Sequence, residues 1–166
     1  DVPEENGQLY LQHARQAASY LQEHRDVASK DPFFYSTLLN IGFRIGTPEF
    51  ELMALFDEGA ERHPYYFGLF TVPMMHYTPR WGGSFEAMEA FARHAMTRVR
   101  PADRATLYTR LYVYAQFLKI ESPVTGGQMD WALFDEGARK IVATYPSASN
   151  LQVLGFMGCA SQDRAR

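Results

Sequence analysis

Apolar residues recur along most of the chain at the spacing of an α-helix, and no segment alternates apolar and polar residues between hairpin turns. Near the N-terminus, for example, Tyr10, Ala14, Ala18 and Leu21 share one face of a helix whose other face is polar. The pattern predicts an all-α fold of about eight helices, which cover residues of about 4–28, 31–46, 47–63, 65–77, 84–99, 101–118, 125–145 and 149–160.

Several of these helices have a recognisable cap. Asp31-Pro32 and Thr47-Pro48 each place an N-cap residue before a proline that suits the first helical position. Ser84 follows the loop Pro79-Arg80-Trp81-Gly82-Gly83 and is the predicted N-cap of the fifth helix. The second helix is expected to end near Gly42 or Gly46.

The segment Ala-Leu-Phe-Asp-Glu-Gly-Ala occurs twice without a change, at 54–60 and, 78 residues later, at 132–138. Such an identity arises by chance in about one chain of this length in ten thousand. The offset equals two helical hairpins of about 39 residues and extends to Thr47 and Thr125 as equivalent caps. We therefore expect one helical-repeat domain, 1–166, with a first hairpin over 1–46 and repeats over 47–83, 84–124 and 125–166. Both copies should have equivalent neighbours, with Gly59 and Gly137 contacting another helix.

Some segments resemble known families. Tyr65-Tyr66, Tyr77-Thr78-Pro79-Arg80-Trp81-Gly82-Gly83-Ser84 and Phe91-Ala92-Arg93 are similar to segments of an uncharacterised bacterial family with a proline, Arg or Lys, and Trp-Gly-Gly-Ser. The proline-ended hairpins resemble the tetratricopeptide-like superfamily, although neither heptapeptide copy meets its strict consensus spacing. The resemblance covers about 50 to 160 and implies an α-solenoid of helical hairpins, but no catalytic residue.

Composition limits the classes of protein. Hydrophobic residues make up 46% of the chain, which excludes disorder, and a single cysteine, Cys159, excludes an intramolecular disulfide. A net charge of −3 gives no reason to expect a nucleic-acid partner. The sequence contains no apolar run of 18 residues, so it predicts no membrane-spanning helix. We expect a soluble protein of the cytoplasm or the periplasm.

Arginines between Arg80 and Arg110, together with more aromatic residues than a core needs, suggest a binding surface. Guanidinium groups recognise carboxylates, and a loop that displays Trp81 beside Arg80 could anchor a partner, so we expect an acidic peptide or protein in an aromatic- and arginine-lined groove. The alternatives are that Trp81 plugs the end of a hairpin and that the tyrosines pack between helices. The candidate binding residues are Tyr66, Tyr77, Arg80, Trp81, Arg93 and Arg104.

No pattern in the sequence indicates catalysis. Asp57-Glu58 and Asp135-Glu136 are neighbours on a helix, point about 100° apart and cannot converge on one atom. Each pair instead has a basic residue four positions on, as in Glu58 to Arg62, which is typical of a solvated face. The histidines form no ligand set, and we expect neither a metal nor a cofactor. We expect a non-catalytic binding module; the alternatives are an enzyme with a diverged helical site and a structural or oligomerisation domain.

The last predicted helix has few polar residues with which to cover its apolar ones. Its apolar residues are Leu151, Val153, Leu154, Phe156 and Met157. Because a terminal repeat needs a polar outer face or a neighbour, we expect either a further helix beyond Arg166 or pairing of this edge with another chain.

Overall fold

The computed structural model describes residues 4–118 and 128–162, and within these ranges it contains α-helices and no strand. The predicted all-α class is confirmed. The first predicted helix is interrupted at His24 and gives two, so the described ranges contain nine α-helices and two single 3-10 turns. The helices are α1 Glu4–Glu23, α2 Arg25–Ala28, α3 Pro32–Ile45, α4 Glu49–Arg62, α5 Phe67–His76, α6 Phe85–Met96, α7 Arg104–Phe117, α8 Trp131–Thr144 and α9 Ala148–Gln162, and the 3-10 turns are Pro79–Trp81 and Pro101–Asp103.

Two predicted N-caps and one predicted helix end are confirmed. The Asp31 carboxylate accepts a hydrogen bond from the Phe33 N–H at 2.9 Å, and α3 closes at Gly46, whose φ of 76° is left-handed. The Ser84 hydroxyl oxygen accepts from the Ala87 N–H at 3.1 Å and caps α6. These starts depend only on neighbouring residues, which is why the sequence predicts them.

The predicted caps of the two repeat helices are wrong. Thr47 belongs to the end of α3, because its N–H donates to the Gly42 carbonyl at 2.9 Å, and Pro48 precedes α4 without a side-chain cap. The second copy lies in α8, which begins at Trp131 with the Asp130 carboxylate accepting from the Leu133 N–H at 3.1 Å. Thr125 and the predicted loop over 122–127 lie outside the described residues.

The chain divides into two compact units, Asp1–Pro73 and Met74–Arg166, and the division falls within α5. In the first unit α3 packs against α1 and α4, and in the second unit α7 packs against α6 and α8. Large side chains with no more than 1% exposure form the two cores. They are Tyr35, Leu39, Phe56, Leu69 and Phe70 in the first unit and Met74, Met88, Tyr108, Leu111, Tyr112, Phe134 and Met157 in the second. Stacking of the hairpins as a solenoid stays a prediction.

Both repeat glycines contact another helix, as predicted. A Cβ added at Gly59 would lie 2.8 Å from Cγ of Tyr35 in α3. A Cβ at Gly137 would collide with the Ala105 carbonyl oxygen and the Thr109 hydroxyl of α7. The Thr109 hydroxyl also lies 2.8 Å from the Phe134 carbonyl oxygen, so α7 and α8 approach to hydrogen-bonding distance where Gly137 has no side chain.

Apolar side chains of the last helix are exposed, in line with its sequence. Leu151 is 51% exposed and Phe156 59% exposed, whereas Met157 is fully buried. None of the helices in the described ranges is long and apolar enough to cross a membrane.

Candidate functional site

The Trp-Gly-Gly segment forms a tight turn of fixed geometry in the second unit. The N–H groups of Trp81 and Gly83 both donate to the Thr78 carbonyl at 3.0 Å, and Gly82 has a φ of 90°. A Cβ at Gly83 would collide with the backbone of Tyr77. The turn therefore requires the first glycine for its conformation and the second for the close approach of the backbone.

The turn presents Arg80 and Trp81 at the surface. Trp81 is 47% exposed, with its ring 6.0 Å from that of His76. The Arg80 guanidinium donates to the Leu118 carbonyl at 3.1 Å, just beyond the last turn of α7. Trp81 thus combines a partly packed ring with a face that remains accessible.

Arg93, a predicted binding residue, is occupied by two carboxylates of its own unit. Its Nε lies 2.6 Å from Oε1 of Glu89 and its Nη2 lies 3.1 Å from Oδ2 of Asp130. The hydrogen bond to Asp130 and the charge of Glu89 raise the pKa of Arg93, although burial opposes this. The Arg93 charge is therefore compensated within the second unit.

Glu89 is a buried carboxylate that was not among the predicted binding residues. It is 8% exposed, and its Oε2 accepts hydrogen bonds from the Tyr108 and Tyr112 hydroxyls, each at 2.6 Å. Burial, and then the hydrogen bond to Glu89, raise the pKa of both tyrosines. The Tyr108 hydroxyl oxygen in turn accepts from the Asp130 N–H at 2.7 Å, so this network joins α6, α7 and the start of α8.

The remaining predicted site residues are dispersed. The Tyr77 ring packs 5.5 Å from that of Phe91, and Arg104 is exposed at the first position of α7. Tyr66 is half-buried in the first unit beside Gly68, where a Cβ would lie 2.9 Å from its ring. The structure gathers Tyr77, Arg80 and Trp81 at one turn and places Arg93 and Arg104 on separate helices.

A groove with a volume of about 440 Å³ lies in the first unit and is lined mainly by residues of α1, α3 and α4. Glu51, Ala54, Leu55 and Glu58 line it from one face of α4, at the i, i+3, i+4 and i+7 positions. The other lining residues are Ala18, Gln22, Arg25, Leu38, Gly42, Ile45, Thr47 and Leu52. The groove has apolar residues along its middle and polar groups near both ends.

Glu58 is held in place at one end of this groove. Its carboxylate accepts from the Tyr35 hydroxyl at 2.9 Å, lies 3.3 Å from the Arg62 guanidinium, and pairs with Arg25. Burial and the hydrogen bond to Glu58 raise the pKa of Tyr35. The Arg25 guanidinium also donates to the Gln22 side-chain oxygen at 2.9 Å, so this end is an ordered polar cluster.

Comparisons of the chain with protein-family models, with curated proteins and with solved structures give no match.

Among the residues that the structure describes, no group of three or more His, Cys, Asp or Glu side chains could hold a metal ion. The predicted ion pairs four residues apart are present at Glu58 and Arg62, at Asp135 and Arg139, and at Glu136 and Lys140.

Proposed function

We propose that the chain is a non-catalytic helical binding module that holds an extended segment of a partner protein in the groove of the first unit. The observation that supports this is the groove itself, in which three helices present apolar side chains between two polar ends. Binding sites commonly combine an apolar surface with a few polar groups that fix the orientation of the ligand.

The dimensions of the groove suit a short peptide. Glu51 and Glu58 are seven residues apart on α4, which corresponds to about 10.5 Å along the helix axis. An extended peptide covers this length with about three residues. The Gln22 amide and the Thr47 hydroxyl can hydrogen-bond its backbone, while Ala54 and Leu55 can contact an apolar side chain.

Blocking the groove tests the proposal, and the repeat supplies a matched control. Ala54 lines the groove, whereas Ala132 is the same residue of the second copy, and both are exposed. We expect Ala54→Trp to abolish binding of fluorescein-labelled octapeptides selected from a library on the full chain, and Ala132→Trp to retain it. Fluorescence anisotropy measures the binding, and thermal unfolding checks both variants. Equal binding by the two variants, or a library without a binder, would contradict the proposal.

The predicted acidic partner of the arginine-rich surface remains a separate proposal. Arg93 supports it less than Arg80 and Arg104, since Arg93 already pairs with Glu89 and Asp130. Substitution of Arg80 and Arg104 by Glu should weaken binding of an acidic octapeptide if that surface is used, and unchanged binding would exclude it.

Self-association is the second candidate function, because Leu151 and Phe156 of α9 are more than half exposed. Light scattering over a concentration series tests it. We expect the apparent mass to rise with concentration, and the double variant Leu151→Glu with Phe156→Glu to stay monomeric. A monomer at all concentrations would exclude this function.

A further inference from the structure

The two carboxylates that face the groove from α4 differ in their surroundings. Glu58 accepts from Tyr35 and pairs with Arg25 and Arg62, so its charge is compensated. Glu51 is exposed at the other end of the groove and forms no ion pair or side-chain hydrogen bond with any residue in 4–118 or 128–162. Glu51 is therefore a carboxylate with capacity for a ligand.

The charges give the groove a direction. The end at Glu51 lies in the first turn of α4 and carries the charge of that carboxylate. At the other end, the Glu58 carboxylate is paired with two guanidinium groups, those of Arg25 and Arg62. An apolar middle section, with Ala54 and Leu55, separates the two ends. A ligand that matches this arrangement has a cation at one end and an apolar group beside it.

We infer that the groove recognises a peptide in which a Lys or Arg is close to an apolar residue, with the basic side chain at Glu51 and the apolar one on Ala54 and Leu55. This inference rests on the proposed function of the groove and adds the chemistry of its ligand. An ammonium or guanidinium group can donate to both Glu51 oxygens without displacing an existing partner. An acidic residue at the same position would face the like charge of Glu51.

The test compares peptides that differ at one position. Blocked, fluorescein-labelled octapeptides with a central Leu carry one Lys, Ser or Glu two residues from it, in otherwise identical Gly- and Ser-based sequences. We expect the full chain to bind the Lys peptide about fivefold more tightly than the Ser peptide, the upper range for an accessible ion pair, and the Glu peptide least. Raising the salt concentration to 1 M should reduce the preference for Lys.

Two variants of equal charge locate the effect. Glu51→Gln should remove the preference for Lys, so that the Lys and Ser peptides bind this variant with equal affinity. Glu61→Gln is the control, because Glu61 is exposed on the same helix and does not line the groove. Thermal unfolding should show both variants folded.

The outcomes separate this inference from the proposed function. Peptides that bind without a preference for Lys, or a preference that survives Glu51→Gln, overturn the inference and leave the binding groove in place. If no peptide binds, or if Ala54→Trp leaves every affinity unchanged, the proposed function fails and the inference with it. A preference for Lys that Glu51→Gln abolishes and Glu61→Gln retains supports both.

Discussion

The two copies of the heptapeptide, Ala54–Ala60 in α4 and Ala132–Ala138 in α8, share a sequence and a buried face but not a position in their helices. Phe56 and Phe134 are both buried, and both glycines contact another helix, Gly59 in contact with α3 and Gly137 with α7. Yet the copy begins at the sixth residue of α4 and at the second residue of α8. The periodicity of the seven residues decides which side is buried, and residues outside them decide where the helix begins.

The neighbours of the two copies also differ. Gly59 meets the side chain of Tyr35, whereas Gly137 meets the backbone of α7 at Ala105. Glu58 is 31% exposed and accepts from Tyr35, while Glu136 is 56% exposed and pairs with Lys140 at 2.7 Å. A sequence repeat therefore need not reproduce the interactions of its members.

The largest expected effect is one that the copies share. Phe56→Ala and Phe134→Ala should each reduce the free energy of unfolding by about 3–5 kcal/mol, because both remove a buried ring and leave a cavity. Urea denaturation of the two variants measures this. Phe→Leu at the same positions provides a milder pair if either alanine variant fails to fold. A large effect in one copy alone would contradict the shared burial.

The glycines should separate the copies. Gly137→Ala should cost about 2–3 kcal/mol, because the new methyl group meets the carbonyl oxygen of Ala105, and backbone cannot rotate away. Gly59→Ala should cost less, about 1–2 kcal/mol, because the overlap is smaller, with 2.8 Å to Cγ and 2.9 Å to Cβ of the buried Tyr35, and because alanine favours the helix by about 1 kcal/mol over glycine. Chemical denaturation compares them, and equal costs would show that the two helix contacts are alike.

Substitution of the equivalent glutamates, Glu58 and Glu136, should change the free energy of unfolding by different but smaller amounts. Glu58→Ala should cost about 1–2 kcal/mol, because it leaves the Tyr35 hydroxyl, which is part of the core, without its acceptor. Glu136→Ala should cost less than about 0.5 kcal/mol, because an exposed pair four residues apart contributes little. Urea denaturation measures this difference as a shift of the unfolding midpoint, with the same dependence of the unfolding free energy on urea concentration in both variants. A larger loss from Glu136→Ala would reverse the comparison.

The smallest effect concerns the caps and depends on pH. Hydrogen bonds from the Leu133 N–H and from Arg93 lower the pKa of Asp130, although burial opposes them. Because the pKa of Asp130 is lower in the folded than in the unfolded protein, its charge stabilises the fold at pH values above the unfolded pKa, near 3.9. This stabilisation is lost as the pH falls toward the pKa of the folded state. Asp130→Asn retains a cap acceptor without the charge, so it should flatten the fall of the unfolding temperature below about pH 5. An unchanged slope would show that Asp130 contributes nothing in this range.

Local signals in the sequence predicted much of the fold, because helix starts such as Asp31-Pro32 and Ser84 depend on adjacent residues. Thr47 failed as a cap because the turn between α3 and α4 is so short that its N–H closes α3. Asp130 is an ordinary cap signal before an apolar run, but the repeat offset pointed to Thr125 instead.

The sites were harder to predict than the helices. Glu89 lies on the apolar stripe of α6, four residues after Phe85 and three before Ala92, so its burial had a signal. The hydrogen bonds that its carboxylate accepts from the Tyr108 and Tyr112 hydroxyls depend on how α7 packs against α6, which the sequence does not indicate. Arg93 could pair locally with Glu89, four residues earlier, but Asp130 is 37 residues away in sequence. The groove combines ordinary residues of three helices, and no single segment indicates it.

The bond from the Asp130 N–H to the Tyr108 hydroxyl gives the protein a natural reporter of its own opening. An amide just before a helix ordinarily exchanges its hydrogen with water quickly, since no backbone carbonyl protects it. Here the acceptor is a buried side chain that the packing of α6 and α7 holds in place. The Asp130 amide should therefore exchange only when the second unit opens, and its deuterium uptake in the unmodified protein would measure how often that happens.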